Sequence, residues 1–287
     1  MTGKLVLGID AGGGSTRAVL VREGELISRH SSGPINLLLH TDASDRLVAL
    51  INETKAELVG VGLPGLRNAL QLLKFTHEVK ERTGATVIAA DDATIAQLGA
   101  FAGGAGIVVI SGTGSVGVGW PGKGRVSRVG GHGFLLGDEG SGYWIGREAI
   151  VAALRGRDGT GPSNGLPEIV ERACGTRLEE LVVRVHTNPT DRTLVSKVTR
   201  ALATSADPTA RAILDAACDH LIAMATALRK TLGDLPVAMV GGVFEIPALA
   251  QRFTAATGAK RPVEAPEFGA VRLAIGDRNA RDAALVT

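Results

Sequence analysis

The chain has 287 residues, 45% of them hydrophobic, and a formal net charge of +2. This length suits one large domain or two of ordinary size. Basic residues are scattered rather than clustered, so neither nucleic acid nor an anionic membrane is implied as a partner. No window approaches the ~20 apolar residues of a membrane span, and the first apolar run, interrupted at Asp10, is too short for a secretion signal. We therefore expect a cytoplasmic protein.

The first motif is a pair of predicted apolar strands joined by a turn of glycine and hydroxyl residues near the N-terminus. The backbone N–H groups of Gly12 and Gly13 can approach a phosphate closely because glycine has no Cβ atom. Ser15 and Thr16 add hydroxyl donors, and Asp10 can hold the hydrated Mg²⁺ that accompanies a nucleotide. A hairpin without a ligand is the alternative. Three consecutive glycines carry an entropic cost that a simple turn would not need, so we favour phosphate binding.

Strands and helices alternate through the first third of the chain, which predicts one α/β unit. The predicted helices of this unit cover 42–54, 66–83 and 92–102. Its predicted strands cover 4–10, 17–22, 25–31, 58–62, 86–90 and 106–111.

Two adjacent carboxylates, Asp91 and Asp92, follow the strand over 86–90 where a helix begins. In phosphoryl transfer to an alcohol, a carboxylate within hydrogen-bond reach orients the hydroxyl and accepts its proton. Either aspartate could instead cap the helix through its first N–H groups. Both roles can coexist, since one aspartate can cap while the other faces substrate. With glycine turns on both sides, we favour Asp92 as the base.

The pattern of strand, glycine turn and strand returns about a hundred residues later, which suggests a duplicated architecture. The new turn contains Gly112, Thr113 and Gly114. Together with Gly117 these glycines also fit a dinucleotide-binding fingerprint, but that mechanism needs a helix to begin at the turn. The sequence over 118–122 cannot start a helix cleanly, and the chain has no P-loop motif. We therefore predict a second phosphate-binding hairpin.

Long helical segments dominate the rest of the chain. Gly241 and Gly242 follow a short apolar strand; adenine could lie against this patch, although a plain turn is the more common outcome. Cys174 and Cys218 have no second cysteine nearby, so we expect free thiols rather than a zinc site or a disulfide. The predicted helices cover 142–155, 168–173, 178–185, 191–205, 209–231 and 247–254, with a loop over 156–165.

The order of these motifs is similar to that of the superfamily of sugar kinases, acetate kinase, actin and the heat-shock ATPases. Within it, the chain resembles the N-acetylglucosamine kinase and BadF/BadG/BcrA/BcrD ATPase branch. The most specific block is Gly-Asp-Glu-Gly-Ser-Gly-Tyr-Trp-Ile-Gly over 137–146, and the matches extend from residue 5 to about 275. The other resembling residues are Gly8 to Gly13 with Thr16, Gly33-Pro34 with Asn36, Asp91 to Ala93, and Ser111 to Ser115.

This resemblance implies an α/β protein with the two-domain actin-like ATPase (ribonuclease H-like) fold and a central interdomain cleft. It implies an N-terminal α/β domain over 1–110, completed by a closing helix over 269–287. The C-terminal α/β domain would cover 111–268. A homodimer stays open.

The resemblance also implies an ATP-dependent phosphotransferase that uses Mg²⁺ and acts on an amino sugar such as N-acetylglucosamine or glucosamine. Asp92 matches the position of the family's catalytic aspartate. Asp138 fits an acceptor for a sugar hydroxyl, although it could equally cap the following helix. The amide of Asn36 could bind two sugar hydroxyls, or Asn36 could be an ordinary turn residue. Gly241 and Gly242 would face adenosine.

Two other classes of protein stay open: an ATPase that drives a partner protein, and a non-catalytic nucleotide or sugar sensor. Iron–sulfur activators of the same superfamily have cluster-ligating cysteines near the block that contains Asp138, where this chain has none. The zinc-binding cysteine motif of the ROK sugar kinases is absent too. We therefore expect ATP, Mg²⁺ and a small sugar as the ligands.

Overall fold

The computed structural model describes residues 3–12, 15–33, 35, 42–64, 69–162, 164–189 and 191–276. Strands and helices alternate along the first third of the chain, and long helices dominate the second half, as the sequence predicts. Within these residues, no helix combines the length and the apolar character needed to cross a membrane.

The first sheet and its helices come from the first hundred residues. They are β1 (Leu5–Ala11), β2 (Thr16–Arg22), β3 (Glu25–Ser32), α1 (Ala43–Thr54), β4 (Leu58–Leu63), α2 (Ala69–Thr83), β5 (Thr86–Asp91) and α3 (Asp92–Ala100). The strand order is β3-β2-β1-β4-β5. β1, β2 and β3 are antiparallel neighbours, whereas β4 and β5 run parallel to β1 and are reached through α1 and α2.

The register of the parallel strands places the predicted carboxylates at one edge of this sheet. Asp10 is opposite Gly62 in β4, and the next residue of β4, Leu63, is opposite Asp91 in β5. Neighbouring strands are about 4.8 Å apart, so the backbones of β1 and β5 are separated by about 10 Å at this edge. The carboxyl edge of a parallel sheet is where ligands bind in open α/β folds.

A second sheet has the strand order β8-β7-β6-β9. Its strands are β6 (Gly106–Ser111), β7 (Ser115–Trp120), β8 (Ser127–Gly130) and β9 (Val237–Val240). β6 and β7 are the two strands of the second predicted hairpin. β8 was not predicted, because its four residues, Ser-Arg-Val-Gly, have too little apolar alternation to signal a strand.

Seven helices follow among the described residues: α4 (Gly142–Arg157), α5 (Leu166–Cys174), α6 (Leu178–Thr187), α7 (Arg192–Leu202), α8 (Pro208–Leu232), α9 (Pro247–Thr257) and α10 (Pro266–Ile275). The predicted apolar face of α8 is buried, including Ile213, Leu221 and Leu228. α10 begins three residues before the predicted start of the closing helix because Pro266 occupies its first turn. Both cysteines are free and buried, as predicted.

The chain divides into two compact units. Unit 1 contains Met1–Val108, Val118–Ser127 and Arg261–Thr287, and unit 2 contains Val109–Gly117 and Arg128–Lys260. The domain boundaries at 110 and 268 stay a prediction.

Two glycines let α10 pack directly on the sheet of unit 1. A Cβ atom added to Gly60 of β4 would collide with the backbone carbonyl of Ala270, and one added to Gly8 of β1 would collide with that of Glu267. Both obstacles are helix backbone, which cannot turn aside as a flexible side chain can. The apolar side chains Ala270 and Leu273 of α10 are completely buried. Close approach of the helix therefore depends on the absence of side chains at these two positions.

We expect Gly60→Ala to lower the free energy of unfolding by about 3 kcal/mol, because the added methyl group must displace either β4 or α10. Gly165→Ala is the matched control: a Cβ atom there meets nothing within 4 Å, and Gly165 has an ordinary negative φ of −74°. Urea unfolding of both variants measures the difference. Equal stability of Gly60→Ala and the wild type would contradict the packing described here.

Candidate active site

Asp10, the last residue but one of β1, forms an ion pair that the sequence analysis did not predict. Its antiparallel partner across β1 and β2 is Arg17, and the Arg17 Nη2 atom lies 2.7 Å from the Asp10 Oδ2 atom. The hydrogen bond to Asp10 raises the pKa of Arg17, which therefore stays charged. The Asp10 side chain is only 14% exposed, whereas that of Arg17 is 57% exposed. The predicted metal-binding carboxylate is thus neutralised by a cation that solvent or a ligand can reach.

The turn between β1 and β2 is closed by one backbone hydrogen bond, from the Gly12 N–H to the Ser15 carbonyl at 3.0 Å. Ser15 is exposed. Thr16 is completely buried, and its hydroxyl has no hydrogen-bond partner among the described residues. An unsatisfied buried hydroxyl costs about 1–3 kcal/mol, so a polar ligand group at this turn would remove a penalty. Gly13 lies outside the described residues.

The side chains of unit 1 that could bind a metal suit Mg²⁺, which needs few protein ligands, better than a metal whose ligands all come from the protein. In the ranges that the structure describes, no three His, Cys, Asp or Glu side chains come together as a metal site. Mg²⁺ is commonly bound through one or two carboxylates, with water and substrate phosphates as the other ligands. Asp10, one residue before the end of β1, can supply one such carboxylate.

Asp91 and Asp92 have different local roles at the start of α3. Asp91 is the N-cap: its Oδ1 atom accepts from the Thr94 N–H at 3.0 Å, and its Oδ2 atom accepts from the Thr94 hydroxyl at 2.7 Å. Asp92 is the first residue of the helix, and its Oδ1 atom accepts from the adjacent N–H of Ala93 at 2.9 Å. The capping role that was left open belongs to Asp91. The role of Asp92 as a base stays a prediction.

In unit 2, the turn between β6 and β7 is held rigidly at the start of α4. The Gly112 N–H donates to the Gly114 carbonyl at 2.9 Å, and the Gly112 carbonyl accepts from the N–H of Gly142 at 2.8 Å. The Thr113 carbonyl accepts from the N–H of Tyr143 at 3.3 Å. The turn therefore satisfies two of the N–H groups that a helix start leaves without partners. The Thr113 side chain is exposed.

Two serines that the sequence analysis did not single out fasten this turn to the loop before α4. The Ser111 hydroxyl donates to the Gly140 carbonyl at 2.8 Å, and the Ser115 hydroxyl donates to the Glu139 carbonyl at 2.7 Å. Both serines are buried. In the sequence, these serines are marked only by their position at either end of the Gly-Thr-Gly turn. That position does not reveal their hydrogen-bond partners, which are 29 and 24 residues away along the chain.

Asp138 is anchored to the same turn. It is buried, and it adopts a left-handed backbone conformation with a φ of 59°, which is uncommon for a residue other than glycine. The backbone N–H groups of Ser115 and Gly133 donate to its carboxylate. A Cβ atom on Gly114 would come within 2.8 Å of its Oδ2 atom, so Gly114 leaves room for this carboxylate.

Ser141 is the N-cap of α4, and its hydroxyl accepts from the Trp144 N–H at 3.1 Å. The alternative that Asp138 caps this helix is therefore wrong. The predicted contact of Asp138 with a sugar hydroxyl stays a prediction.

Burial raises the pKa of the Asp138 carboxyl above its ordinary value of 3.8, and the two N–H donors oppose that effect. At pH values between 3.8 and the raised pKa, the Asp138 carboxyl holds more protons in the folded protein than in the unfolded chain. The contribution of this group to the free energy of unfolding therefore falls as pH rises. We expect Asp138→Asn, which has no charge to bury, to lose this component of the pH dependence. Urea unfolding of both proteins between about pH 4 and about pH 8 measures it. Identical pH profiles would contradict the expectation.

Of the two glycines after β9, only Gly241 occupies a position that requires glycine. Gly241 has a φ of 109°, and a Cβ atom there would collide with the Ser111 carbonyl. Gly242 begins a short 3₁₀ turn, Gly242–Glu245, and has open space where a side chain would be. The pair is therefore more than a plain turn, because it packs closely against the end of β6. Its contact with adenosine stays a prediction.

Comparison with protein families gives one match over nearly the whole chain. The model of the BadF/BadG/BcrA/BcrD ATPase family matches residues 7–277. The chain belongs to this family. The resemblance drawn from the glycine turns and the 137–146 block is confirmed.

Curated relatives of this family member include several sugar kinases. An N-acetyl-D-glucosamine kinase from Dictyostelium discoideum is 31% identical over 207 residues, which cover 63% of this chain and 64% of the relative. An N-acetylmuramic acid/N-acetylglucosamine kinase from Clostridium acetobutylicum is 29% identical over 219 residues, covering 69% and 70%. The chain thus matches less than two thirds of the length of the Dictyostelium protein.

Solved structures agree on the fold. A candidate N-acetylglucosamine kinase from Chromobacterium violaceum superposes with a TM-score of 0.80 at 24% identity, covering 94% of this chain and 98% of the other. A ROK family glucokinase from Streptomyces griseus superposes with a TM-score of 0.60 at 19% identity, covering 94% and 99%. The predicted class, an α/β protein with the actin-like ATPase fold, is confirmed.

The structure groups the predicted site residues of this family member within each unit. In unit 1, the carboxyl edge of the sheet holds Asp10 and Asp92, and Asp10 precedes the turn that contains Gly12, Ser15 and Thr16. In unit 2, hydrogen bonds or close packing join the Gly112–Gly114 turn to Asp138 and Gly241. Asn36 lies outside the described residues.

Proposed function

We propose that this protein is an ATP-dependent kinase that transfers a phosphoryl group to a hydroxyl of an amino sugar such as N-acetylglucosamine or glucosamine. The observation that carries the proposal is the shared edge of the first sheet, which holds Asp10 on β1 and Asp92 directly after β5. Kinase chemistry needs a carboxylate near the metal and phosphates and another near the acceptor hydroxyl. The curated relatives described above support the sugar class.

Asp92 acts as the general base in this mechanism. Its carboxylate accepts a hydrogen bond from the sugar hydroxyl and takes the proton as the hydroxyl oxygen bonds to the γ-phosphorus of ATP. The bond between that phosphorus and the bridging β,γ-oxygen breaks, and the electron pair leaves on ADP. Because Asp91 already caps α3, the helix does not need the Asp92 carboxylate as its N-cap.

The two glycine turns bind the phosphates. In the first turn Gly13, Ser15 and Thr16 supply N–H or hydroxyl donors, and in the second turn Thr113 and Gly114 do. The N–H groups of Gly12 and Gly112 donate within their own turns, so these two glycines contribute by having no Cβ atom to keep a phosphate away. Donors fixed before the reaction stabilise the charge of the transferring group without the cost of reorganisation. Asp10 would hold Mg²⁺, which neutralises phosphate charge when bound.

Asn36 and Asp138 position the sugar, and Gly241 and Gly242 face adenosine. An amide both donates and accepts, so Asn36 suits two neighbouring hydroxyls. Asp138 is already a double acceptor, but a carboxylate has about four acceptor positions, so it can accept from a sugar hydroxyl as well.

Release of ADP by the purified protein with Mg-ATP tests this function. The panel contains N-acetylglucosamine, glucosamine, N-acetylmannosamine, N-acetylmuramic acid and glucose, with a sample without sugar as the reference. We expect strong stimulation by at least one amino sugar. Equal ATP hydrolysis in every sample would indicate an ATPase that drives a partner protein. No release of ADP in any sample would indicate a sensor. Either result would contradict the proposal.

A further inference from the structure

Arg192 is a cation of unit 2 that the proposed reaction does not use. It is the first residue of α7, where the positive end of the helix dipole disfavours a basic side chain. The helix gains nothing from it as a cap, because Asp191 is the N-cap and its carboxylate accepts from the Leu194 N–H at 3.3 Å. Its charge acts on the carboxylate of Asp138, whose pKa it lowers. A half-buried arginine in this position needs another explanation.

The guanidinium of Arg192 is held over an aromatic ring. Its central carbon lies 5.7 Å from the centre of the Phe134 ring, within the range of a cation–π interaction. Phe134 in turn meets the ring of Tyr143, on α4, edge to face with 5.1 Å between the ring centres. The arginine is therefore held by one cation–π contact, with a ring that Tyr143 supports edge to face, and this contact does not use the N–H donors of the guanidinium.

Arg192 lies beside the loop that contains Asp138. The Gly137 N–H donates to the Gly133 carbonyl at 2.8 Å, and the Gly133 N–H donates to the Asp138 carboxylate. Phe134 and Asp138 therefore belong to one short closed loop, and the charge of Arg192 is close enough to lower the pKa of Asp138 against the effect of burial. A sugar that binds Asp138 would have this guanidinium near one of its substituents.

The same loop presents two apolar side chains to solvent. Leu135 is 77% exposed and Leu136 is 84% exposed. Consecutive leucines this exposed carry a cost that a purely structural turn has no reason to bear. Leu135 directly follows Phe134, the ring beneath Arg192, so this loop offers a ligand apolar side chains close along the chain to a positive charge. The complementary group has a short apolar chain that ends in an anion.

We propose that Arg192 is a specificity-determining residue that binds a carboxylate on a short carboxyalkyl substituent of the amino sugar, with Leu135 and Leu136 contacting the alkyl part. This inference rests on the proposed function. The terminal phosphate of the nucleotide is the other anion that could reach the site, but it has no apolar part for the leucines. The experiment has a separate arm for each anion.

The test compares wild type with Arg192→Gln in steady-state kinetics with N-acetylmuramic acid, which has such a carboxylate, and with neutral N-acetylglucosamine. Losing a hydrogen bond between charged groups should lower kcat/KM for N-acetylmuramic acid by about 10–100-fold. We expect kcat/KM for N-acetylglucosamine and the KM for ATP to change by less than about twofold. Arg200→Gln, an exposed arginine on the same helix, is the matched control and should leave all three values unchanged.

Three results would overturn the inference. The wild type could fail to use or bind N-acetylmuramic acid. Arg192→Gln could lower kcat/KM equally for both sugars, which would indicate a structural role for the cation–π contact. The variant could also raise the KM for ATP, which would show that the guanidinium binds the nucleotide. Calorimetric binding of both sugars to both proteins keeps the test independent of turnover. If wild type binds the acidic sugar through Arg192 but phosphorylates no sugar, the proposed function fails and the specificity role stands. Arg192→Lys, which keeps the charge, replaces the Gln variant if that one does not fold.

Discussion

Asp92→Asn is expected to lower kcat for sugar phosphorylation by about 10²–10⁴-fold, the range for loss of a general base. An asparagine side chain has the same shape, and its Oδ1 atom can still accept from the Ala93 N–H, so α3 keeps its start. The amide cannot take the proton of the attacking hydroxyl. Because the phosphate donors are untouched, the dissociation constant for ATP should change by less than about twofold. Steady-state kinetics and calorimetric ATP titration measure the two effects.

The neighbouring aspartate offers the matched control. Asn is as good an N-cap as Asp, so Asp91→Asn can keep the bond from the Thr94 N–H and should retain turnover within a few-fold. The assignment of the base would be reversed if Asp91→Asn lost turnover and Asp92→Asn kept it. Wild-type turnover in Asp92→Asn would remove the general base from the account altogether.

Asp10→Asn is expected to have the second largest effect, a loss of about 100-fold in kcat, typical when one charge-stabilising group is removed. A neutral amide is a poor ligand for Mg²⁺, and the substitution also leaves the charge of Arg17 without its partner. The concentration of Mg²⁺ needed for half-maximal turnover should therefore rise as kcat falls. Titration with MgCl₂ at fixed ATP measures both quantities.

Asp45→Asn controls for the loss of a charged pair in the same unit. Asp45 pairs with Arg82 at 2.7 Å, the same distance as the pair between Asp10 and Arg17, but it lies on α1. Its loss should leave the Mg²⁺ requirement unchanged. An unchanged Mg²⁺ requirement in Asp10→Asn would contradict the assignment of Asp10.

The ion pair between Asp10 and Arg17 is compatible with the proposed binding of Mg²⁺ at Asp10. The Arg17 side chain is 57% exposed, so its guanidinium can leave the carboxylate for solvent or for another anion. Bound Mg²⁺ would supply twice the charge of the guanidinium to Asp10, and the anionic oxygens of a bound phosphate chain could accept from Arg17 instead. We therefore expect Arg17 to neutralise the carboxylate in the free protein and to donate to the phosphates in the complex.

The sequence was sufficient to predict the elements with strong local signals. Alternating apolar residues around a glycine turn fixed the hairpins β1–β2 and β6–β7, and the carboxylates after a buried strand located the start of α3. The repeating apolar residues of α8 identified its buried face. In each case residues close together in the chain determine the structure. Apolar residues that repeat every two positions in a strand, or every three to four in a helix, are therefore informative.

Other features depended on contacts that no local pattern contains. Arg17 faces Asp10 only because Ala11 pairs with Thr16, and this register depends on the exact length of the turn. The hydrogen bond from the Ser115 N–H, beside the Gly112–Gly114 turn, to Asp138 joins residues more than twenty positions apart. Sequence reasoning placed Asp138 beside a sugar or at a helix cap, and it missed that Ser141 caps α4.

Transfer of the γ-phosphoryl group, followed by phosphorus NMR, tests the central claim most directly. The protein is incubated with Mg-ATP and the amino sugar that stimulates ADP release most strongly, with Asp92→Asn as the blank. We predict that the γ-phosphorus signal appears as a sugar phosphate in step with ADP and is nearly absent in the variant. Appearance of the phosphorus as inorganic phosphate, at the same rate with and without sugar, would contradict the kinase and indicate an ATPase.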